Sequence, residues 1–234
     1  EIPLRLVGSE MCIRDSLTHF GNDESYQIFI KILSDAGLPD HLYPKLILGN
    51  HDNRESFKKN FPNTKTDENG FVQYVEKDGD KSFIFLDTNL ADTDAGHLCD
   101  KRQQWLKDAL EKEQKNKIYI FMHHNPLAIG HINSDEIGLV QREDVKKILH
   151  RYQHSIEHIF FGHQHVTSSG KYMGITFSSP RSTWSPLVPN FLNRYRLGTA
   201  HTDPNYNIVL LEEDSLIVHS EDFLKTNVSW FTDN

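Results

Sequence analysis

Two rhythms of apolar residues alternate along the chain. Short runs dominated by apolar residues, at 45–48, 118–122 and 156–161, read as strands, the one at 118–122 apolar throughout, as in strands that helices cover and that lose the in-out alternation of half-exposed ones. Between them, apolar residues recur every three or four positions, the spacing of a helix with one buried face. That spacing predicts a helix over 24–36 with Tyr26, Phe29, Ile30 and Leu33 inward, Asp23 as its N-cap, and Gly37 and Pro39 ending it. It predicts a short helix over 55–60 and a long one over 100–115 with Trp105, Leu106, Ala109 and Leu110 on one face. Another helix is predicted over 140–152, with Val145, Ile148 and Leu149 inward. Further strands are predicted at 71–76 and 82–86, joined as a hairpin through Asp78-Gly79-Asp80, at 171–177, and at 206–212 and 215–220 around Glu213-Asp214. Residues 178–205 are less regular and rich in Pro, Asn and aromatic side chains. Strands alternating with helices and then a strand-rich end predict an α/β fold, layered as an α/β/β/α sandwich.

Residues 1–16 do not join this pattern. The run from Leu6 to Ser16 has neither period and resembles a translated sequencing adapter, so 1–16 is expected to be non-native and the native sequence before it, first strand included, to be missing. The expectation is a single domain over 17–234. With 234 residues and 37% hydrophobic content the chain can bury one sizeable core. A formal net charge of -8 with no block of Lys and Arg argues against a binder of nucleic-acid polymers or anionic membranes, and leaves a small phosphorylated ligand open. No apolar run approaches the roughly 18 residues of a membrane span, and no leader pattern opens the chain, so a cytoplasmic location is expected. Cys12 and Cys99 are too few for a disulfide framework. The sequence leaves the oligomeric state open, a homodimer included.

The 14 histidines change the picture, because several stand at the ends of predicted strands. The run at 45–48 ends in Gly49-Asn50-His51-Asp52, where the Gly lets the backbone turn sharply. The run at 118–122 ends in His123-His124-Asn125-Pro126 and the run at 156–161 in Gly162-His163-Gln164-His165. Open α/β sheets place ligands at the carboxyl ends of their strands. Asn and His suit borderline or hard divalent cations, and hydrolysis needs an open position for water. Asn50, His123, His163 and His165 are therefore candidate metal ligands, and His124 is expected to support a ligand or pack in the core rather than bind.

This ordered set of three motifs resembles the calcineurin-like metallophosphoesterases from about Leu17 to the C-terminus. Leu17-Thr18 with Gly21 and Tyr26, Leu86-Asp87-Thr88, Gly96 ahead of Gln104-Trp105-Leu106, and Gly170 with Gly174 are similar to class III cyclic nucleotide phosphodiesterases. The resemblance implies two divalent ions, Fe, Mn or Zn, that clamp a phosphodiester and activate the attacking water. Asn50, His123 and His163 would hold the second ion and His165 the first. His51, polarised by Asp52, would be the catalytic residue facing the phosphate, and Asp52 would also cap the helix that follows. The implied substrate is a 3',5'-cyclic nucleotide such as cyclic AMP, with glycerophosphodiesters or phosphomonoesters as alternatives.

The chain also departs from that family. The family's first Asp-x-His has no counterpart, and Ser16 stands before Leu17-Thr18 where the family has the Asp that bridges both ions. Two cations without a bridging anion repel by several kcal/mol even at an effective dielectric near 20, roughly. One ion, or weak binding, and poor activity are therefore expected of this polypeptide. Loss of the metals altogether would make it an interaction scaffold, a reading disfavoured by the survival of Asn50, His51, His123, His163 and His165. Arg54, His97 and His131 are candidate substrate contacts, Arg54 with an ion pair as its alternative. Arg181, Trp184, Phe191, Tyr195, His201 and Tyr206 could flank a substrate or pack a core.

Overall fold

A computed structural model describes residues 5–7, 16–39, 43–183, 186–189, 191, 198–199 and 203–222. In chain order the elements begin with β1 (Arg5–Val7), α1 (Asp23–Asp35), α2 (Arg54–Asn60), β2 (Tyr74–Asp78), β3 (Lys81–Leu86), α3 (Asp100–Glu113) and β4 (Lys117–Met122). They continue with α4 (Ile132–Glu136), α5 (Arg142–Arg151), β5 (Ile156–Phe161), β6 (Ser168–Tyr172), β7 (Ile175–Ser179), β8 (Leu187–Val188), β9 (Gly198–Thr199), β10 (Asn205–Leu211) and β11 (Leu216–Asp222).

The apolar runs of β4 and β5 lie in the middle of a six-stranded sheet ordered β2-β3-β4-β5-β7-β6. Its inner strands β3, β4, β5 and β7 are parallel, and the edge strands β2 and β6 pair antiparallel. Strands β3, β4 and β5 carry buried apolar residues on both faces, β7 on one only, and the two faces differ in kind. Ile84, Leu86, Ile118, Ile120, Met122, Ile159 and Phe161 join Leu106 and Leu110 of α3 and Val145 and Leu149 of α5 in one core. The alternate residues Phe83, Phe85, Tyr119, Phe121 and Phe160 join Tyr26 and Phe57 of the first two helices and Val209 and Leu211 of β10 in a second. On that aromatic face Tyr74, Phe85, Phe121 and Phe160 stack across four neighbouring strands, with ring centroids 4.7, 4.9 and 4.8 Å apart. A three-stranded sheet ordered β1-β10-β11 supplies the second sheet, and β8 pairs with β9. The predicted α/β sandwich is the architecture observed.

Several local expectations need correction. Leu46, Ile47 and Leu48 are buried and Lys45 is exposed, but residues 45–48 carry no strand ladder among the described residues. The Leu46 carbonyl accepts the Tyr74 hydroxyl at 3.0 Å instead. The strand predicted over 171–177 is two strands, because Met173 and Gly174 take left-handed φ angles of 53° and 88° and turn a hairpin between β6 and β7. The N-cap of α1 is Asn22, which accepts from the Ser25 amide, and not Asp23. The cap of α2 is Asn53, which accepts from the Ser56 amide, and not Asp52. Residues 130–135 read as a loop, and the short helix α4 stands there instead.

Candidate metal centre

The parallel register aligns the ends of three strands. Leu86 pairs with Met122 and Met122 with Phe161, so Thr88, His123 and His163 emerge side by side just beyond the sheet. The Gly162 amide donates to the His123 carbonyl at 3.0 Å and carries the pairing one step further. Gly49 is needed here for close approach, since a Cβ would stand 2.5 Å from Ser16 Oγ and 2.9 Å from His123 Cε1. The Asn89 amide locks the turn that follows by donating to the carbonyls of Gly49 at 2.7 Å and Asp52 at 2.8 Å.

Three donor atoms converge at this end. Asn50 Oδ1 lies 3.0 Å from His123 Nε2, which lies 3.2 Å from His163 Nδ1. His163 donates its Nε2 proton to the Ile137 carbonyl at 3.1 Å, which leaves Nδ1 to present a lone pair. Asp94 accepts from Asn50 Nδ2 at 3.0 Å and so turns Oδ1 toward the histidines. Burial pushes the His163 imidazole down to about 4, with the charge of His165 adding to it, and a neutral ring is the form that binds a metal. Among the described residues, the His, Cys, Asp and Glu donors within 4.8 Å of one another are His123, His124 and His163. His124 has both nitrogens engaged, Nδ1 with Thr88 Oγ1 at 2.7 Å and Nε2 with the Asp94 carbonyl at 3.2 Å, so it supports the cluster from behind.

The geometry fits one ion. Two donors each about 2.0–2.1 Å from the same cation stand roughly 2.9–3.4 Å apart at octahedral to tetrahedral angles, and the two separations of 3.0 and 3.2 Å fall in that interval. Where the resemblance implies a bridging carboxylate, Ser16 places a hydroxyl 3.3 Å from Asn50 Oδ1. That hydroxyl also accepts the His51 amide at 2.8 Å. His165 stands outside the group of close donors. Both His163 and His165 adopt left-handed backbone, φ 65° and 52°. The irregular backbone at this strand end sits on the histidines themselves, at a cost of order 1 kcal/mol each.

The remaining candidates divide. His51 is exposed, with its ring 5.0 Å from that of His19. Asp52 is buried and accepts from the amides of Leu17, Thr18 and Gly49 and the hydroxyls of Thr18 and Tyr26, which makes it a clamp on the backbone. Burial pushes its carboxyl up to about 6 against those donors. Arg54 makes a two-pronged ion pair with Asp87, at 2.7 and 2.9 Å, and also reaches the Asn89 carbonyl; the ion-pair alternative is the one observed. His97 lies 3.3 Å from the Arg102 guanidinium, and His131 is buried with Nδ1 on the Ser134 hydroxyl at 2.6 Å. Arg181 pairs with Asp222, Phe191 is exposed and Tyr206 half-buried. Trp184, Tyr195 and His201 lie outside the described residues. Asp94 and Thr88 carried no site role in the sequence reading, and their contacts with Asn50 and His124 span 44 and 36 residues.

Among the described residues no helix is long and apolar enough to cross a membrane. A family model described as calcineurin-like phosphoesterase matches residues 17–167. The chain is 28% identical over 215 residues to a probable cyclic nucleotide phosphodiesterase of Rhodopseudomonas palustris, covering 91% of this chain and 77% of that one. It is 30% identical over 169 residues to a probable glycerophosphodiester phosphodiesterase, GpdQ, of Arcobacter nitrofigilis, covering 70% of this chain and 60% of the relative. A dimetal phosphatase from Danio rerio shares the fold with a TM-score of 0.60 at 12% identity, over 85% of this chain and 74% of that one. The family match covers well over half of the sequence and contains every strand end described above, and the chain belongs to the calcineurin-like phosphoesterase family.

Proposed function

We propose that this chain hydrolyses phosphodiesters with a divalent cation held by Asn50, His123 and His163, and that its substrate is a 3',5'-cyclic nucleotide. The convergence of Asn50 Oδ1, His123 Nε2 and His163 Nδ1 carries the reading. A cation at these donors supplies Lewis-acid polarisation of a phosphoryl oxygen and a more acidic water. His51 faces outward beside the cluster, where its imidazole donates to a phosphate oxygen or to the leaving oxygen near neutral pH. Asp52 and Asn89 hold the turn that carries Asn50 and His51, and Asp94 fixes the orientation of the Asn50 amide. His165 would serve a second ion, but Ser16 offers that ion only a hydroxyl, so one ion per chain is the stoichiometry we infer. The relative named as a cyclic nucleotide phosphodiesterase supports the substrate because its alignment runs over most of both chains.

The test is metal content by mass spectrometry together with hydrolysis of cyclic AMP, glycerophosphoethanolamine and bis(p-nitrophenyl) phosphate, for the chain and for Ser16→Asp. One ion in the chain, a second gained in Ser16→Asp and a rise in diester turnover are expected. Two tightly bound ions in the unaltered chain would sink the stoichiometry, and turnover of the glycerophosphodiester alone would replace the substrate. That second substrate stays in view because of the similarity to a probable glycerophosphodiester phosphodiesterase.

A further inference from the structure

Phe20 presents an aromatic ring to water next to the candidate site, with 74% of its surface exposed. Scattered apolar side chains are normal on protein surfaces and need no account. Phe20 differs in how it is held and in what it adjoins. The segment that carries it is fastened at both sides. The amides of Leu17 and Thr18 donate to Asp52 at 2.9 and 3.2 Å, and the Gly21 amide donates to Thr18 Oγ1 at 2.8 Å. Gly21 has a left-handed φ of 60° and leaves no space for a Cβ, which would stand 2.7 Å from the His51 carbonyl. His19 and Phe20 therefore sit at the tip of a tight loop anchored to the turn that bears Asn50 and His51.

The rings form a row. The Phe20 ring lies 4.7 Å from that of His19, edge on, and the His19 ring lies 5.0 Å from that of His51. The His19 ring thus links the Phe20 ring to His51, the side chain proposed to meet the phosphate. An aromatic face held in place before binding loses little conformational freedom when a flat group stacks on it. A flat base gains from such a face, whereas a glycerol or ethanolamine group has no face to offer.

We propose that Phe20, with His19 beside it, is the stacking platform for the base of a nucleotide, and that it selects nucleotide diesters over glycerophosphodiesters. This rests on the phosphodiesterase reading for its catalytic consequence, but the platform itself can be tested without turnover. Base-aromatic stacking is worth about 1–3 kcal/mol, so removing the ring should raise KM for cyclic AMP roughly 5- to 160-fold with kcat little changed.

The decisive experiment uses the full chain in metal-free buffer with adenosine as the probe, followed by saturation-transfer NMR, and compares Phe20→Ala, Phe20→Leu and Phe20→Trp. Phe20→Leu keeps apolar bulk without an aromatic face, and thermal melts check that each variant folds. Adenosine contact that is lost in Phe20→Ala and Phe20→Leu and kept in Phe20→Trp is the expected result. In metal-loaded protein KM for cyclic AMP should rise in the first two while turnover of glycerophosphoethanolamine is unchanged. Equal adenosine contact in wild type and Phe20→Ala, or none in either, overturns the platform, as does an equal loss on both substrates. Adenosine contact through Phe20 in a protein that hydrolyses no phosphodiester with metal supplied would leave the platform standing and defeat the phosphodiesterase reading.

Discussion

A carboxylate taken out of water keeps its charge only through donors, and Asp52 collects five of them from three separate stretches of chain. Asp52→Asn keeps the shape but turns an NH2 group toward amides that need an acceptor. It should cost about 2–4 kcal/mol in urea unfolding, the range for breaking a buried charged hydrogen-bond hub. The candidate metal cluster separates proposed ligand from support in the same way. His163→Ala should abolish tight manganese binding in equilibrium dialysis, whereas Asp94→Ala should weaken it about 10-fold, the scale of a lost orienting partner. Asp94→Asn, which can still accept from Asn50 Nδ2, should recover most of that loss, and an equal effect of both Asp94 variants would count against the orienting role. The ligand candidates Asn50, His123 and His163 were legible in the sequence because each stands within two residues of the end of a run rich in apolar residues. Asp94 was not, because a hydrogen bond across 44 residues leaves no periodic trace.

At the scale of elements, β3, β4 and β5 were readable because burial on both faces leaves consecutive apolar residues, whereas β7, polar on one face, was not separated from β6. Their ends were readable for the same reason. The caps were misread by one residue at Asn22 and Asn53, since Asn and Asp cap equally well and stand side by side in both places. The hairpin between β6 and β7 was hidden because its turn, Met173-Gly174, sits inside a stretch that alternates like a single strand. The strand pair β5-β7 also carries a titratable core residue. His158 is buried between the hydroxyls of Thr176 and Ser178, and burial pushes its imidazole down to about 4. The folded protein therefore keeps this ring neutral where the unfolded chain, with a pKa near 6.5, takes up a proton. Stability should fall as pH drops from about 6.5 toward 4, by up to about 3 kcal/mol from this residue. His158→Asn should flatten that part of the curve of Tm against pH, and an unchanged slope would reject the assignment.

Across the whole molecule, Asp87 at the end of β3 binds Arg54 of α2 and Arg102 of α3, whose guanidinium groups stand 5.2 and 4.6 Å from the Phe71 ring. Asp87→Ala would strand two cations, one of them nearly free of water, and should lower stability by about 3–5 kcal/mol in chemical denaturation. A loss under 1 kcal/mol would show that the two helices are tied together by other contacts. An ion pair was already the alternative reading for Arg54, but its acid was not legible in the charge pattern, because Asp87 and Arg102 stand 33 and 48 residues further along the chain and meet Arg54 only in the fold. The stack of Tyr74, Phe85, Phe121 and Phe160 reaches across strands that are far apart in sequence, and its rings meet only when β2, β3, β4 and β5 have all taken their places. Coupled ring transitions give the near-ultraviolet circular dichroism a signal that belongs to the finished strand order. In refolding, that band should appear after the helical far-ultraviolet signal, and so time the moment at which the sheet closes up.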